Sequence, residues 1–355
     1  MMNILIIGLG YAGNRFYSAF KSITHTEEIN FAYINRTEIS HTLPCYESIK
    51  DALEKFKPEI IVISATDSQH INIIESLSNY DGFIICEKPL ATPGDGWKAA
   101  CDSLQNLSGF ALDLVERYSF ATVLLKSLIV ERKWKLIRAS FFWGKNRIND
   151  YRPTCGVMSE VIHPLDLITW ICNDNHSLTI KSVSGVRSDF SISGDHILDT
   201  VLLTAELNGV PVTGFSSFVN IQRQRNVDFS FTDEFGEIIH SRITYDTPSW
   251  DCDHLRIWSV NSDGSENIII DKQQENNVEN LATIYKLSKL CSDVYGYVKE
   301  GTPPSQSFPG LEAAVRLQET LDYIQEHAVT PEPARYTHLG ERKLLLKESS
   351  LELLG

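Results

Sequence analysis

The chain has 355 residues, 43% of them apolar, which is enough for two domains with sizeable cores. Its 32 basic and 46 acidic side chains give a net charge of −14 with no long basic run, which argues against nucleic acid as a partner. The seven cysteines form no CxxC pair, the first residues carry no basic leader, and no apolar stretch is long enough to span a bilayer. These features predict a reduced, cytoplasmic protein with no disulfide frame, no metal site and no membrane anchor.

The first fifteen residues carry the strongest signal. Asn3-Ile4-Leu5-Ile6-Ile7 is a continuous apolar run, as in a strand buried on both faces of a parallel sheet. It leads into Gly8-Leu9-Gly10-Tyr11-Ala12-Gly13, a GxGxxG turn, and then into a helical pattern with Phe16, Phe20 and Ile23. In such a turn the first glycine allows the tight bend, the second lets backbone approach a pyrophosphate, and the third lets helix and strand pack closely. The pyrophosphate then sits on the free N–H groups of the helix terminus.

A second strand, Ile29 to Ile34, ends at Asn35-Arg36-Thr37. A carboxylate at this place would hold a ribose 2′-hydroxyl, whereas an arginine accommodates a 2′-phosphate, so Arg36 favours NADP(H) over NAD(H). Residues 44–46 read as a short strand and 48–53 as a helix. Glu59 to Ser64 is a buried strand ending at Ala65-Thr66-Asp67-Ser68-Gln69-His70, and a helix follows. Phe83 to Cys86 is another strand, ending at Glu87-Lys88-Pro89, where proline stops the strand and leaves the lysine at a sheet end. A helix over 93–107 and a strand over 110–115, ending at Glu116-Arg117-Tyr118, complete a doubly wound α/β pattern with its polar clusters at the strand ends.

After the helix of 120–130 the period changes to two. The stretches 136–143, 178–187, 196–207, 210–219, 226–232 and 237–243 read as strands. Val227, Phe229 and Phe231 alternate with Asp228, Ser230 and Thr232, as in antiparallel strands with one wet face. The expected organisation is a Rossmann domain over 1–118 and an α/β domain with an open, mainly antiparallel sheet over 119–330. Two late helices, 279–298 and 310–326, fall in the second domain, and 331–355 forms a tail.

Between these regions a helical stretch begins at Met158 and brings Glu160, His163 and Asp166 to one side at i, i+3 and i+6. With Lys88, these groups suit proton transfer to or from a carbinol or carbonyl. Lys145–Arg152 and Arg223–Asn226 are the expected substrate-choosing loops. In them Arg147, Tyr151 and Arg152 suit a phosphate or carboxylate, or else a solvated surface.

The GLGYAG turn, ATDSQH, CEKP, VERYS and the ExxHxxD helix before LITW occur together in the order and at the intervals of one family. Over roughly residues 1–330 the chain resembles the Gfo/Idh/MocA oxidoreductases, the glucose-fructose oxidoreductase and inositol dehydrogenase group. The resemblance implies hydride transfer between a nicotinamide dinucleotide and a carbon of a sugar, nucleotide sugar or cyclitol. It implies that Lys88 and His163 line the reacting carbon, that Thr66 and Glu87 lie near the nicotinamide, and that Arg117 lies near cofactor or substrate. The expected cofactor set is Gly8, Gly10, Tyr11, Ala12, Gly13, Asn35, Arg36, Thr37, Ala65, Thr66, His70, Glu87, Lys88 and Arg117. It also implies a homo-oligomer, dimer or tetramer, built through the open sheet. Ser159 stands where many members carry Asp, and Asp67 and Ser68 replace the Pro and Asn of the ATPN loop. An imine reductase and a non-catalytic dinucleotide-sensing regulator are the competing readings on the same scaffold. Intact Lys88 and His163 argue against the regulator.

Overall fold

The computed structural model describes the chain apart from residues 24–27, 37–40, 105, 149–153, 173–177, 191–193, 275–280, 282 and 336–355. It forms two compact units: Met1–Tyr118 with Val278–Gln318, and Ser119–Asn277 with the chain from Glu319.

The first unit holds a parallel sheet of β1 (Met2–Ile7), β2 (Ile29–Ile34), β3 (Ile60–Ile63), β4 (Phe83–Cys86) and β5 (Gly109–Leu112), in the order β2-β1-β3-β4-β5. Every residue of β3 and β4 is buried, because helices cover both faces. Helix α1 (Tyr11–Ser22) buries Phe16, Ala19 and Phe20 against Ile4, Ile6 and Val62. Each such aromatic or branched side chain contributes about 1.5–3 kcal/mol on burial. Three short helices link the remaining strands: α2 (Ile49–Lys55), α3 (His70–Glu75) and α4 (Trp97–Asp102). The stretch at 44–46 forms only an isolated bridge, Cys45 beside Tyr33.

The second unit starts with helix α5 (Phe120–Glu131). Its sheet contains β6 (Lys135–Asn146), β7 (Thr179–Arg187), β8 (Leu198–Leu207), β9 (Val210–Ser217), β10 (Val219–Thr232), β11 (Ile238–Thr244), β12 (Asp253–Val260) and β13 (Glu266–Gln274). The order is β13-β12-β11-β10-β6-β9-β8-β7. The β6–β9 pair is parallel and the others are antiparallel, as the alternating pattern predicts. Helix α6 (Met158–Ile171) lies between β6 and β7 in the chain and packs against β6 and β9.

Other features also differ from the sequence reading. The hairpin β12–β13 adds two strands to the sheet. Helix α7 (Tyr285–Glu300), expected with the second domain, instead shares the Rossmann core: Leu287, Leu290, Cys291 and Val294 pack into the cluster that contains Phe16 and Phe20. Its apolar stripe is buried there, so contact outweighs sequence order. The boundary between the units falls inside helix α8 (Leu311–His327).

All seven cysteines are free thiols. Among the described residues no helix is long and apolar enough to cross a membrane, and no cluster of His, Cys, Asp or Glu could hold a metal ion.

Candidate active site

The glycine turn between β1 and α1 is built as its spacing requires. Gly8 has φ of +97°, and a Cβ there would lie 2.6 Å from the Ala65 nitrogen. A Cβ on Gly13 would meet the Gly8 carbonyl at 2.3 Å. Both positions therefore exclude side chains for reasons internal to the fold. Gly10 differs, since a Cβ there would meet nothing within 4 Å. The space beside it is open, at the terminus of a helix with no side-chain cap and no acidic residue in its first turn. The Asn14 amide donates to the Gly10 carbonyl at 2.8 Å, and the Ser64 hydroxyl donates to the Gly8 carbonyl at 2.9 Å. Carbonyls of the turn are thus taken up from the protein side. An uncapped helix N-terminus with open space beside a glycine fits a pyrophosphate. Tyr11 is exposed and Ala12 half-buried at the same edge.

At the end of β2, Asn35 is half-buried and Arg36 exposed; Thr37 lies outside the described residues. At the end of β3, Ala65 is half-buried and Thr66 exposed. His70 is fully buried. Its Nδ1 lies 2.9 Å from the Pro89 carbonyl and its Nε2 3.1 Å from the Ala65 carbonyl. His70 therefore ties the loop after β3 to the loop after β4, and its ring nitrogens are engaged with backbone. Glu87 and Lys88 are half-buried at the end of β4, and the Lys88–Pro89 peptide is cis. Asp113, just past β5, faces Glu87. Burial pushes its carboxyl well above the usual carboxylate range; the Glu87 charge adds to that, and Arg15 opposes it. Arg117 is buried and its Nη1 donates to the Ser307 carbonyl at 3.2 Å.

In the second unit, α6 is buried along nearly its whole length, with Pro164 inside it. Proline at 164 lacks the N–H that would bond the Glu160 carbonyl. Glu160 is 0% exposed; its Oε2 lies 3.2 Å from Arg225 Nη2 and its Oε1 3.1 Å from Lys145 Nζ. The sequence grouped Glu160 with the proton-transfer residues, but its carboxylate is committed to two cations, which makes it an anchor for the helix. One turn on, His163 stacks on Trp143 with ring centroids 5.5 Å apart and planes 19° from parallel. His163 keeps 6% of its surface exposed, and Asp166, another turn on, is buried. Lys88 belongs to the first unit and the three helix residues to the second.

The residues that hold this helix were absent from the sequence reading as site residues. Arg223–Asn226 is not a loop; it lies within β10. Arg225 bridges Glu160 and Asp246, the latter through Nη1 to Oδ2 at 2.6 Å. Its guanidinium lies 5.0 Å from the Trp143 ring and 5.2 Å from the Trp250 ring. Arg223 lies 4.8 Å over Trp250, and burial pushes its pKa down. The period of two that places Val227 inward also places Arg225 inward, so the signal was present. Arg147 leaves β6 with its N–H bonded to the Phe218 carbonyl, whereas Tyr151 and Arg152 lie outside the described residues.

Residues 2–110 match the family described as "Oxidoreductase family, NAD-binding Rossmann fold". The inositol 2-dehydrogenase of Salmonella paratyphi B is 21% identical over 140 residues, 38% of this chain and 41% of that protein. The chain thus matches about two fifths of the length of that curated relative. Among solved structures, myo-inositol 2-dehydrogenase from Lactobacillus plantarum superposes with a TM-score of 0.67 at 16% identity, covering 92% of this chain and 97% of that one. Levoglucosan dehydrogenase in complex with NADH gives 0.70 at 15% identity, with 92% and 96% covered. At such identities the likeness shows the fold, a Rossmann sheet followed by a mainly antiparallel one. The likeness to the Gfo/Idh/MocA oxidoreductases thus rests, in sequence, on residues 2–110, which match that family's NAD-binding Rossmann fold.

Proposed function

We propose that the protein is an NAD(P)-dependent dehydrogenase or reductase acting on a secondary alcohol or ketone of a sugar, nucleotide sugar or cyclitol. The observation that carries this reading is the open space at Gly10 beside the uncapped terminus of α1. Gly8, Gly10, Tyr11, Ala12 and Gly13 would hold the pyrophosphate. Asn35, Arg36 and Thr37 would face the adenosine ribose, and Ala65, Thr66 and Glu87 the nicotinamide side, with His70 bracing their loops and Arg117 their flank. A nicotinamide dinucleotide, when bound, supplies or accepts the hydride. His163 takes the hydroxyl proton in oxidation and returns it in reduction. Lys88 holds the substrate oxygen, and Asp166 orients His163 or a neighbouring hydroxyl. The inositol and levoglucosan dehydrogenases among the similar proteins support a polyol or sugar substrate. The open face of the second sheet, where Phe142 stacks on Phe215 and Leu202 is 50% exposed, supports association of copies of this chain.

The test is a titration of the purified protein with NADH and NADPH, followed by nicotinamide fluorescence. Gly10→Ala is expected to fold with wild-type stability and to lose most of its affinity for both. Gly8→Ala is expected to be destabilised by about 1–3 kcal/mol or more from the strain of positive φ. A Gly10→Ala protein that binds as well as wild type would refute the cradle.

We assign NADP(H) as the preferred cofactor from Arg36, in the Asn35-Arg36-Thr37 sequence that follows β2 without a carboxylate in those three positions. A hydrogen bond to a charged group contributes about 1.5–3 kcal/mol. Arg36→Ala is therefore expected to weaken NADPH by roughly ten- to a hundredfold and NADH by less than about threefold. Equal losses would remove the basis for the preference.

A further inference from the structure

We infer that Trp143 and Arg225 are positioning residues for His163, Trp143 by stacking on its ring and Arg225 by fixing the helix turn that carries it. The inference rests on the proposed role of His163 in proton transfer. It follows from how two rows of side chains meet. Trp143 on β6 and Arg225 on β10 are direct cross-strand partners. Both are buried on the face of the sheet that meets α6, at 0% and 2% exposure. Glu160 and His163 are one turn apart on that helix and so form a matching row. Glu160 meets Arg225 at 3.2 Å, and His163 meets Trp143 at 5.5 Å between centroids.

The network does not end there. Asp246, which takes the other arm of Arg225, donates its own N–H to Asp253 Oδ1 at 2.9 Å and accepts the Asp251 N–H at 3.0 Å. Asp246 and Asp251 hold left-handed φ angles of +53° and +61°. For residues other than glycine this conformation costs of order 1–3 kcal/mol and persists where surrounding contacts over-determine it. Tyr245 packs on Trp143 at 5.5 Å, and its hydroxyl is 2.9 Å from that of Thr122. The indole is therefore held by Arg225 and Tyr245, and His163 rests on it.

Stability alone does not account for this arrangement. A buried ion network adds little over an apolar core of the same volume, because desolvation offsets attraction. What it adds is direction: a two-armed guanidinium sets the helix rotation, and the indole face sets the plane of the imidazole. A general base must reach its proton within hydrogen-bond distance, and a misplacement of about 1 Å costs on the order of a hundredfold.

The test has an activity-independent arm and a kinetic arm. With imidazole-labelled histidine in the full chain, the His163 ring protons, assigned by their absence in His163→Gln, should resonate upfield through the indole ring current. Trp143→Phe should keep part of that displacement and Trp143→Leu should abolish it. Arg225→Lys keeps the charge but cannot span Glu160 and Asp246 together, so it should reduce the displacement. In oxidation of myo-inositol or levoglucosan with NAD⁺ or NADP⁺, Trp143→Leu should lower kcat by about 10- to 100-fold with little change in KM, and Trp143→Phe should recover most of it. No upfield displacement in wild type, its persistence in Trp143→Leu, or an unchanged kcat in that variant overturns the inference. A wild-type protein with the displaced resonance but no turnover of any sugar or cyclitol supports the stack and sinks the proposed function instead.

Discussion

His163→Ala should lower turnover of the substrate by about 10²–10⁴-fold, the usual contribution of a general acid–base group, while the protein still binds NADH as wild type does. The alcohol oxygen cannot keep its proton as the carbon gives up hydride, so some group must receive it. On α6 three titratable side chains share one side, and their surroundings separate them. Glu160 is fully buried with one oxygen on Lys145 and the other on Arg225, so both oxygens are already engaged within the protein. Asp166 is 2% exposed and belongs to the same buried wall. His163, itself buried at 6% exposure, is the one whose ring is braced by a stack on Trp143. Steady-state kinetics beside a nicotinamide fluorescence titration would separate the two losses. A variant with near-full turnover would transfer the proton step to another group, and a variant that loses NADH binding as well would point to a folding defect.

The first unit was legible because its constraints are local. Gly8, Gly10 and Gly13 stand at fixed spacing after an apolar strand; the structure gives Gly8 and Gly13 a steric reason and leaves open space beside Gly10. The helix with Glu160, His163 and Asp166 was legible from its period. The partners of Glu160 were not, because Arg225 is 65 residues away in sequence and their meeting depends on the pairing of β10 with β6. Charged residues at the start of β10 suggested a loop, although Arg225 continues the inward alternation of Val227 and Phe229. Strand β12 carried the same signal in Leu255 and Ile257, with a turn at Asp263-Gly264 after it. Helix α7 could not be placed from order alone. Its amphipathic stripe says that it packs, and only the fold says that it packs on α1.

Arg225→Met should be among the most destabilising substitutions in the second unit, by about 3–5 kcal/mol, the cost of removing one partner from a buried ion pair. Methionine fills similar volume, so the loss comes from charge and not from a cavity. Glu160 would retain Lys145, whose side chain is 19% exposed, and Asp246 would lose its ion pair with the guanidinium. Two buried carboxylates would then have lost the cation they share. Salt would not relieve the defect, because screening acts weakly on buried groups. The double variant Arg225→Met with Glu160→Met should recover more than about 1 kcal/mol of this loss, since groups in direct contact couple by about 0.5–3 kcal/mol. Urea unfolding followed by tryptophan fluorescence reports mainly on the unit concerned, which carries five of the six tryptophans, Trp143 and Trp250 beside this guanidinium among them. A loss below about 1 kcal/mol in the single variant would match an exposed ion pair and not a buried one, and the network would then be too weak to orient the helix that carries His163.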